Sequence, residues 1–106
     1  MGTFHKAAET KDLAPGEGMA VELGGHKIAL FNVDGTYYAI GGTCTHRGGP
    51  LSEGTLQGTT VTCPLHGANF DLRNGKNLTP PAPQEVPSYS VRLEGNDIHV
   101  EIPETG

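Results

Sequence analysis

Apolar and polar residues alternate with a period of two along most of the chain, in short runs broken by turn dipeptides. Met19–Leu23, Lys27–Val33 and Thr36–Ile40 read as strands, separated by Gly24-Gly25 and by Asp34-Gly35. Asp-Gly between alternating runs is a strong hairpin signal, because a type I′ turn needs positive φ at both central residues. Thr59–Cys63 and Asn69–Leu72 are shorter runs, and Asn74-Gly75 after the second is another type I′ candidate. Tyr89–Leu93 and Asp97–Glu101 predict a closing hairpin over Gly95-Asn96. One face of it carries Tyr89, Val91, Leu93, Ile98, Val100 and Ile102, the other Ser90, Arg92, His99 and Glu101. No segment sustains the i, i+3, i+4, i+7 spacing of a helix for three turns. Short strands at this spacing predict an all-β fold, an antiparallel β-sandwich or partly closed barrel.

Two stretches interrupt the alternation. Gly41–Gly58 holds six glycines and one proline, and Thr79–Pro87 holds four prolines. Long irregular stretches inside a small domain usually have an organiser of their own. The size of the chain sharpens that point: 106 residues make one domain, and a domain this small gains from a disulfide, a metal or an oligomer. Two cysteines permit one disulfide at most, which excludes a disulfide scaffold. The formal charge of −5 offers no basic face for phosphates, so no nucleic-acid partner is expected. No apolar run approaches the ~18 residues of a membrane span, and no charged-then-apolar leader is seen, so a soluble cytoplasmic domain is expected.

The candidate chemistry is a repeat of mixed ligands. Cys44-Thr45-His46 is followed after sixteen residues by Cys63-Pro64-Leu65-His66, and glycines trail both units at Gly48 and Gly67. Thiolate beside imidazole is a transition-metal ligand set. Three readings compete. Structural zinc favours two like ligands per knuckle, whereas each unit here is mixed. A Cys44–Cys63 disulfide accounts for neither the histidines nor the glycines, and a reducing compartment disfavours it. A [2Fe–2S] centre in which two His replace two Cys on one iron uses all four residues, and the glycines let backbone N–H groups approach its sulfurs.

At these residues the chain resembles the Rieske iron–sulfur proteins, in the segments CTHRGGPL and CPLHGANFDLRNGK. The resemblance implies Cys44 and Cys63 on one iron and His46 and His66 on the other, outer iron. It implies a base sandwich of about 1–40 and 76–106 with a small cluster-binding subdomain of about 41–75 inserted, the whole chain 1–106 being one domain. The proline loop 79–87 would cover the cluster. Respiratory and photosynthetic members carry an additional disulfide between the two cluster loops, but Gly49 and Leu65 stand at those positions here. Ala68 and Phe70 stand where those members place sulfur-bonding hydroxyls. Fewer hydrogen bonds stabilise the reduced, more negative cluster less, which predicts a potential near the low end of the Rieske range, roughly −150 mV. That is similar to the ferredoxins of bacterial aromatic-ring dioxygenases.

The resemblance thus implies a monomeric one-electron carrier between a flavin-dependent NAD(P)H ferredoxin reductase and a terminal ring-hydroxylating oxygenase. With four protein ligands, no open iron position is left for substrate, so no catalytic residue is expected. The oxygenase itself would need a mononuclear iron held by two His and a carboxylate, and a further domain. The alternative is the small Rieske subunit of an assimilatory nitrite reductase. Among the remaining residues, Leu51, Phe70, Leu72, Tyr37, Tyr38 and Tyr89 read as packing. His5, His26 and His99 show no ligand spacing, and Arg47 reads equally as a partner-steering or a solvated side chain.

Overall fold

The computed structural model describes residues 2–42, 51–63, 69–76, 78 and 86–103. Within them lie ten strands: β1 Gly2–Glu9, β2 Gly18–Leu23, β3 His26–Val33, β4 Thr36–Gly41, β5 Thr55–Gln57, β6 Thr60–Thr62, β7 Asn69–Asp71, β8 Ser88–Tyr89, β9 Val91–Glu94 and β10 Asp97–Pro103. Two short 3-10 turns, Thr10–Asp12 and Leu51–Glu53, are the sole helical pieces among the described residues. The strands form three antiparallel sheets in the orders β1-β10-β9, β2-β3-β4-β8 and β5-β6-β7, and none closes into a barrel. No helix among the described residues is long and apolar enough to cross a membrane.

The four-stranded sheet is the middle layer, and β3 shows why. Residues Ile28 to Asn32 are buried without a break, the pattern of a strand covered on both faces. Ile28 and Leu30 join Ala8, Leu13, Ala39, Ile98, Val100 and Ile102 against the first sheet. Ala29 and Phe31 point the other way and join Ile40, Val61, Cys63, Phe70 and Leu72 against the third. Successive side chains leave a strand on opposite faces, so one run of apolar residues serves two cores.

Asn32 is the polar member of that buried run, 2% exposed. Its Nδ2 donates to the Leu13 carbonyl at 2.9 Å and to the Tyr37 hydroxyl at 3.3 Å, while its Oδ1 accepts from the Gly35 N–H at 2.8 Å. Asn32 therefore carries no desolvation penalty for unmade bonds, and it ties the β3–β4 turn to the segment before β2.

The hairpins follow the turn chemistry. Gly24 and Gly25 have φ of 56° and 81°, and Asp34 and Gly35 of 51° and 91°, as type I′ turns require. The Gly95-Asn96 turn joins β9 to β10 with positive φ at Gly95 alone, the type II′ pattern. Asn74-Gly75 departs from expectation. Only Gly75 has positive φ, and its N–H bonds the Asp71 carbonyl at 2.7 Å, so the chain turns over four residues instead of two.

Two strands escape the periodic reading. In β1 the register shifts between Lys6 and Ala8, so Lys6 faces His99 while Ala8 faces Ile98. An inserted residue reverses the phase of the alternation, and no constant period of two runs through Gly2–Glu9. The other, β5, is three residues long inside the glycine-rich stretch. The Tyr89–Leu93 run divides into β8 and β9, which belong to different sheets, with a corner at Ser90 whose carbonyl accepts from the Glu101 N–H at 2.9 Å. Leu93 is 47% exposed in spite of its apolar register, because β9 is an edge strand.

Candidate functional site

Of the four predicted ligands, Cys63 is among the described residues; Cys44, His46 and His66 lie outside them, as do Arg47, Gly48, Gly49, Leu65, Gly67, Ala68 and residues 79–85. Cys63 directly follows β6 and is 1% exposed. Its neighbours in the core are apolar: Ala29, Phe31, Ile40, Leu51, Val61, Phe70, Leu72 and Val86. Cysteine is among the most buried residue types wherever it occurs, so burial alone assigns no role. Position says more. Cys63 stands at the mouth of the β6–β7 hairpin, where Thr62 faces Asn69 and the Thr62 hydroxyl donates to Asn69 Oδ1 at 2.6 Å.

The ends of all three predicted loop segments meet at this mouth. Residue 42 leads into the first Cys–His unit and residue 51 leaves it, and the Leu51 N–H donates to the Gly42 carbonyl at 3.0 Å. Gly42 is itself fastened to β3 through its N–H to the Lys27 carbonyl at 2.9 Å. The Leu51–Gly54 turn presses on β6: a Cβ on Gly54 would run into the Thr62 carbonyl oxygen and lie 2.8 Å from Val61 Cγ2. Cys63 opens the second unit and Asn69 follows it. Leu78, before the proline-rich segment, donates its N–H to the Asn69 carbonyl at 2.8 Å, and Val86, near the end of that segment, packs in the same core as Leu51 and Cys63.

Leu51, Phe70 and Leu72 are core residues, each at most 1% exposed, as their pattern predicts. Phe70 places an aromatic ring, with no hydroxyl, in the cluster of residues around Cys63. The other histidines lie elsewhere: His5 is exposed on β1, His26 meets the Tyr89 ring edge-on at 6.3 Å, and His99 Nε2 is 3.5 Å from a Glu94 carboxylate oxygen. Among the described residues no three His, Cys, Asp or Glu side chains gather to hold a metal.

One charged pair closes the far end of β7. Asp71 at the end of β7 accepts from the Arg73 backbone N–H at 2.9 Å, from Nε at 3.1 Å and from Nη2 at 3.0 Å. The guanidinium hydrogen-bonded to it holds the Asp71 carboxyl below the usual carboxylate range. A carboxylate whose pKa is depressed on folding adds stability that is present above its unfolded value and lost as pH falls through the folded one. Asp71→Asn is therefore expected to lower stability at neutral pH and to converge with the wild type as pH drops below 3.8. Urea midpoints measured at pH 7 and in that acid range check this; a gap that stays constant overturns it.

Sequence reasoning passed over the residues that hold the loop ends, namely Gly41, Gly42, Asn69, Gly75 and Val86. The available signal was glycine just outside a ligand unit and a lone Val between Pro83 and Pro87.

Residues 3–90 match the family described as the Rieske [2Fe-2S] domain. The chain is 41% identical over 100 residues to the biphenyl dioxygenase ferredoxin subunit of Pseudomonas sp. (strain KKS102), covering 93% of this chain and 92% of that protein. It superposes with a TM-score of 0.84 on a chain from the complex of reduced oxygenase and oxidised ferredoxin in carbazole 1,9a-dioxygenase, at 30% identity and 92% of each chain. It also superposes with a TM-score of 0.90 on a protein from Mycobacterium tuberculosis described as an NADH-dependent nitrite reductase small subunit, at 27% identity and 99% of each chain.

Proposed function

From the premise that the chain belongs to the Rieske [2Fe-2S] domain family, we propose that Cys44, His46, Cys63 and His66 are its cluster ligands. The observation that carries this is Cys63, a soft sulfur donor shut off from water where the ends of the two Cys–His segments meet. The fit is chemical as well as positional: an Fe–S centre takes thiolates, and its potential depends on the water and hydrogen bonds around the sulfurs. When bound, a Rieske cluster supplies one-electron redox chemistry, formally neutral when oxidised and singly negative when reduced.

The chain is a Rieske ferredoxin, an electron carrier of a dioxygenase system and not the oxygenase. Its own residues do two things. The apolar core around Cys63 excludes water from that side, and Phe70 withholds a hydroxyl from the sulfurs, which favours a low potential. His46 and His66 on the outer iron would present imidazole N–H groups toward partners, the exit for the electron. The reductase is a flavin-dependent NAD(P)H enzyme and the acceptor a terminal ring-hydroxylating oxygenase, with the carrier a cytoplasmic monomer. The β5-β6-β7 sheet belongs to a cluster-binding unit of about 41–75, set on a base of about 1–40 and 76–106, with 79–87 covering the cluster.

The test is low-temperature EPR of the dithionite-reduced protein, with iron and acid-labile sulfide measured on the same sample. A rhombic signal with an average g value below that of four-Cys clusters, and two irons and two sulfides per chain, is expected. A colourless, EPR-silent protein holding one zinc overturns the proposal. The likeness to the nitrite reductase small subunit supports a second reading, a permanently bound module. Copurification with a larger subunit favours that reading; electron delivery to a ring-hydroxylating oxygenase favours the first.

A further inference from the structure

The proline-rich segment is held at its far end by two glycines that have no place for a side chain. The Val86 N–H donates to the Gly75 carbonyl at 2.9 Å, and the Gly41 N–H donates to the Pro87 carbonyl at 2.7 Å. A Cβ on Gly75, whose φ is 75°, would strike the Val86 carbonyl oxygen. On Gly41 it would lie 2.9 Å from Pro87 Cδ and 3.3 Å from Val86 Cβ. Both clamps converge on one residue: Val86 is 2% exposed and packs in the same apolar core as Cys63. At the near end, Leu78 is bonded to Asn69, three residues after His66, and Gly41 stands three residues before Cys44.

Resting on the assignment of Cys63 as a cluster ligand, we propose that Gly41 and Gly75 are positioning residues for electron transfer. By admitting Val86 and Pro87 at backbone contact, they seal the apolar wall behind Cys63 and so set how much water reaches the cluster. A methyl group at either position displaces Val86, because the clash is with backbone or a proline ring and not with the far end of a flexible side chain. Water admitted beside Cys63 stabilises the reduced, more negative state, so the potential moves upward. The same opening exposes the centre to small hydrophilic oxidants.

The test uses the cluster-loaded protein with Gly41→Ala, Gly75→Ala and a control, Gly58→Ala. Gly58 also has positive φ, 59°, but nothing lies within 4 Å of its would-be Cβ, so its variant carries backbone strain without displacing Val86. Iron, sulfide, EPR, reduction potential and the rate of oxidation by ferricyanide are measured on each. Expected are full iron and sulfide in all three, with a positive shift in potential and a severalfold faster oxidation in Gly41→Ala and Gly75→Ala alone. The same potential and rate in all three variants as in the wild type overturn the proposal. Should both glycine variants fail to hold a cluster, Val86→Ala decides: a positive shift supports the proposal and an unchanged potential overturns it. A wild-type protein without iron or sulfide instead overturns the ligand assignment, and this proposal with it.

Discussion

Cys63→Ala is expected to yield a colourless protein that binds neither iron nor sulfide and carries no electrons, while still folding. The two effects separate because the side chain does two things. As a core residue it fills a small apolar space among Leu51, Val61, Phe70 and Val86; trimming sulfur to a methyl there costs on the order of 1 kcal/mol. As a ligand it has no substitute, since the iron that Cys44 and Cys63 would share takes deprotonated thiols. Cys63→Ser sharpens the contrast. It keeps the volume but replaces the soft sulfur with a hard hydroxyl oxygen, so it is expected to be equally empty of iron. His99→Ala serves as the control, since His99 lies on β10 beside Glu94, outside the core that holds Cys63. Visible absorption with iron and sulfide assays reads the ligand role, and urea unfolding reads the packing role. Two irons and two sulfides retained in Cys63→Ala would sink the assignment.

The largest loss of stability is expected from Phe31→Ala, about 3–5 kcal/mol in a domain whose whole stability is about 5–15 kcal/mol. Phe31 is fully buried between the middle sheet and the third one. Its ring covers Gly18 on the neighbouring strand, where a Cβ would lie 2.6 Å from Phe31 Cε1 and 2.8 Å from the Ser52 carbonyl oxygen. The walls of the resulting cavity are ladder-bonded strands and the Leu51–Gly54 turn, which collapse poorly, so the cost belongs at the upper end of the range. Phe31→Leu refills most of the volume and is expected to cost about 1 kcal/mol. Leu93→Ala on the exposed edge of β9 is expected to stay within about 0.5 kcal/mol. Denaturant midpoints of the three variants give the comparison, and equal costs for Phe31→Ala and Leu93→Ala would refute it. Because Leu51 and Cys63 share the core with Phe31, Phe31→Ala should also release its cluster sooner on warming.

Legibility differed from one part of the chain to another for identifiable reasons. The strands with a regular period and a two-residue turn were readable: β2, β3, β4 and β10 lie within one or two residues of their predicted limits. The first strand was not, because the shift between Lys6 and Ala8 reverses its phase, and a period cannot be seen where it is interrupted. The run Tyr89–Leu93 was readable as extended chain but not as two strands in two sheets, since the corner at Ser90 leaves no mark on the alternation. For the candidate site, the Cys–His spacing pointed to the family, and the roles of Leu51, Phe70 and Leu72 as packing followed from their apolar character. The clamps at Gly41 and Gly75 stayed hidden, because a glycine needed for close approach looks like a glycine needed for a turn.

What the amino-acid sequence determined by itself was local: the strands of regular period, β2, β3, β4 and β10, and the family. These rest on neighbours a few residues apart, or on a motif whose residue types and spacing mark the family. Tertiary structure alone decided that β3 serves two cores at once, that Cys63 is buried in one core with Phe31, Phe70, Leu51 and Val86, and that Gly41 and Gly75 hold the chain at Val86 and Pro87. These are contacts between positions tens of residues apart, made when the sheets close on one another. No pattern along the chain records which distant backbone will press against a given glycine, because that is settled by the packing of whole layers.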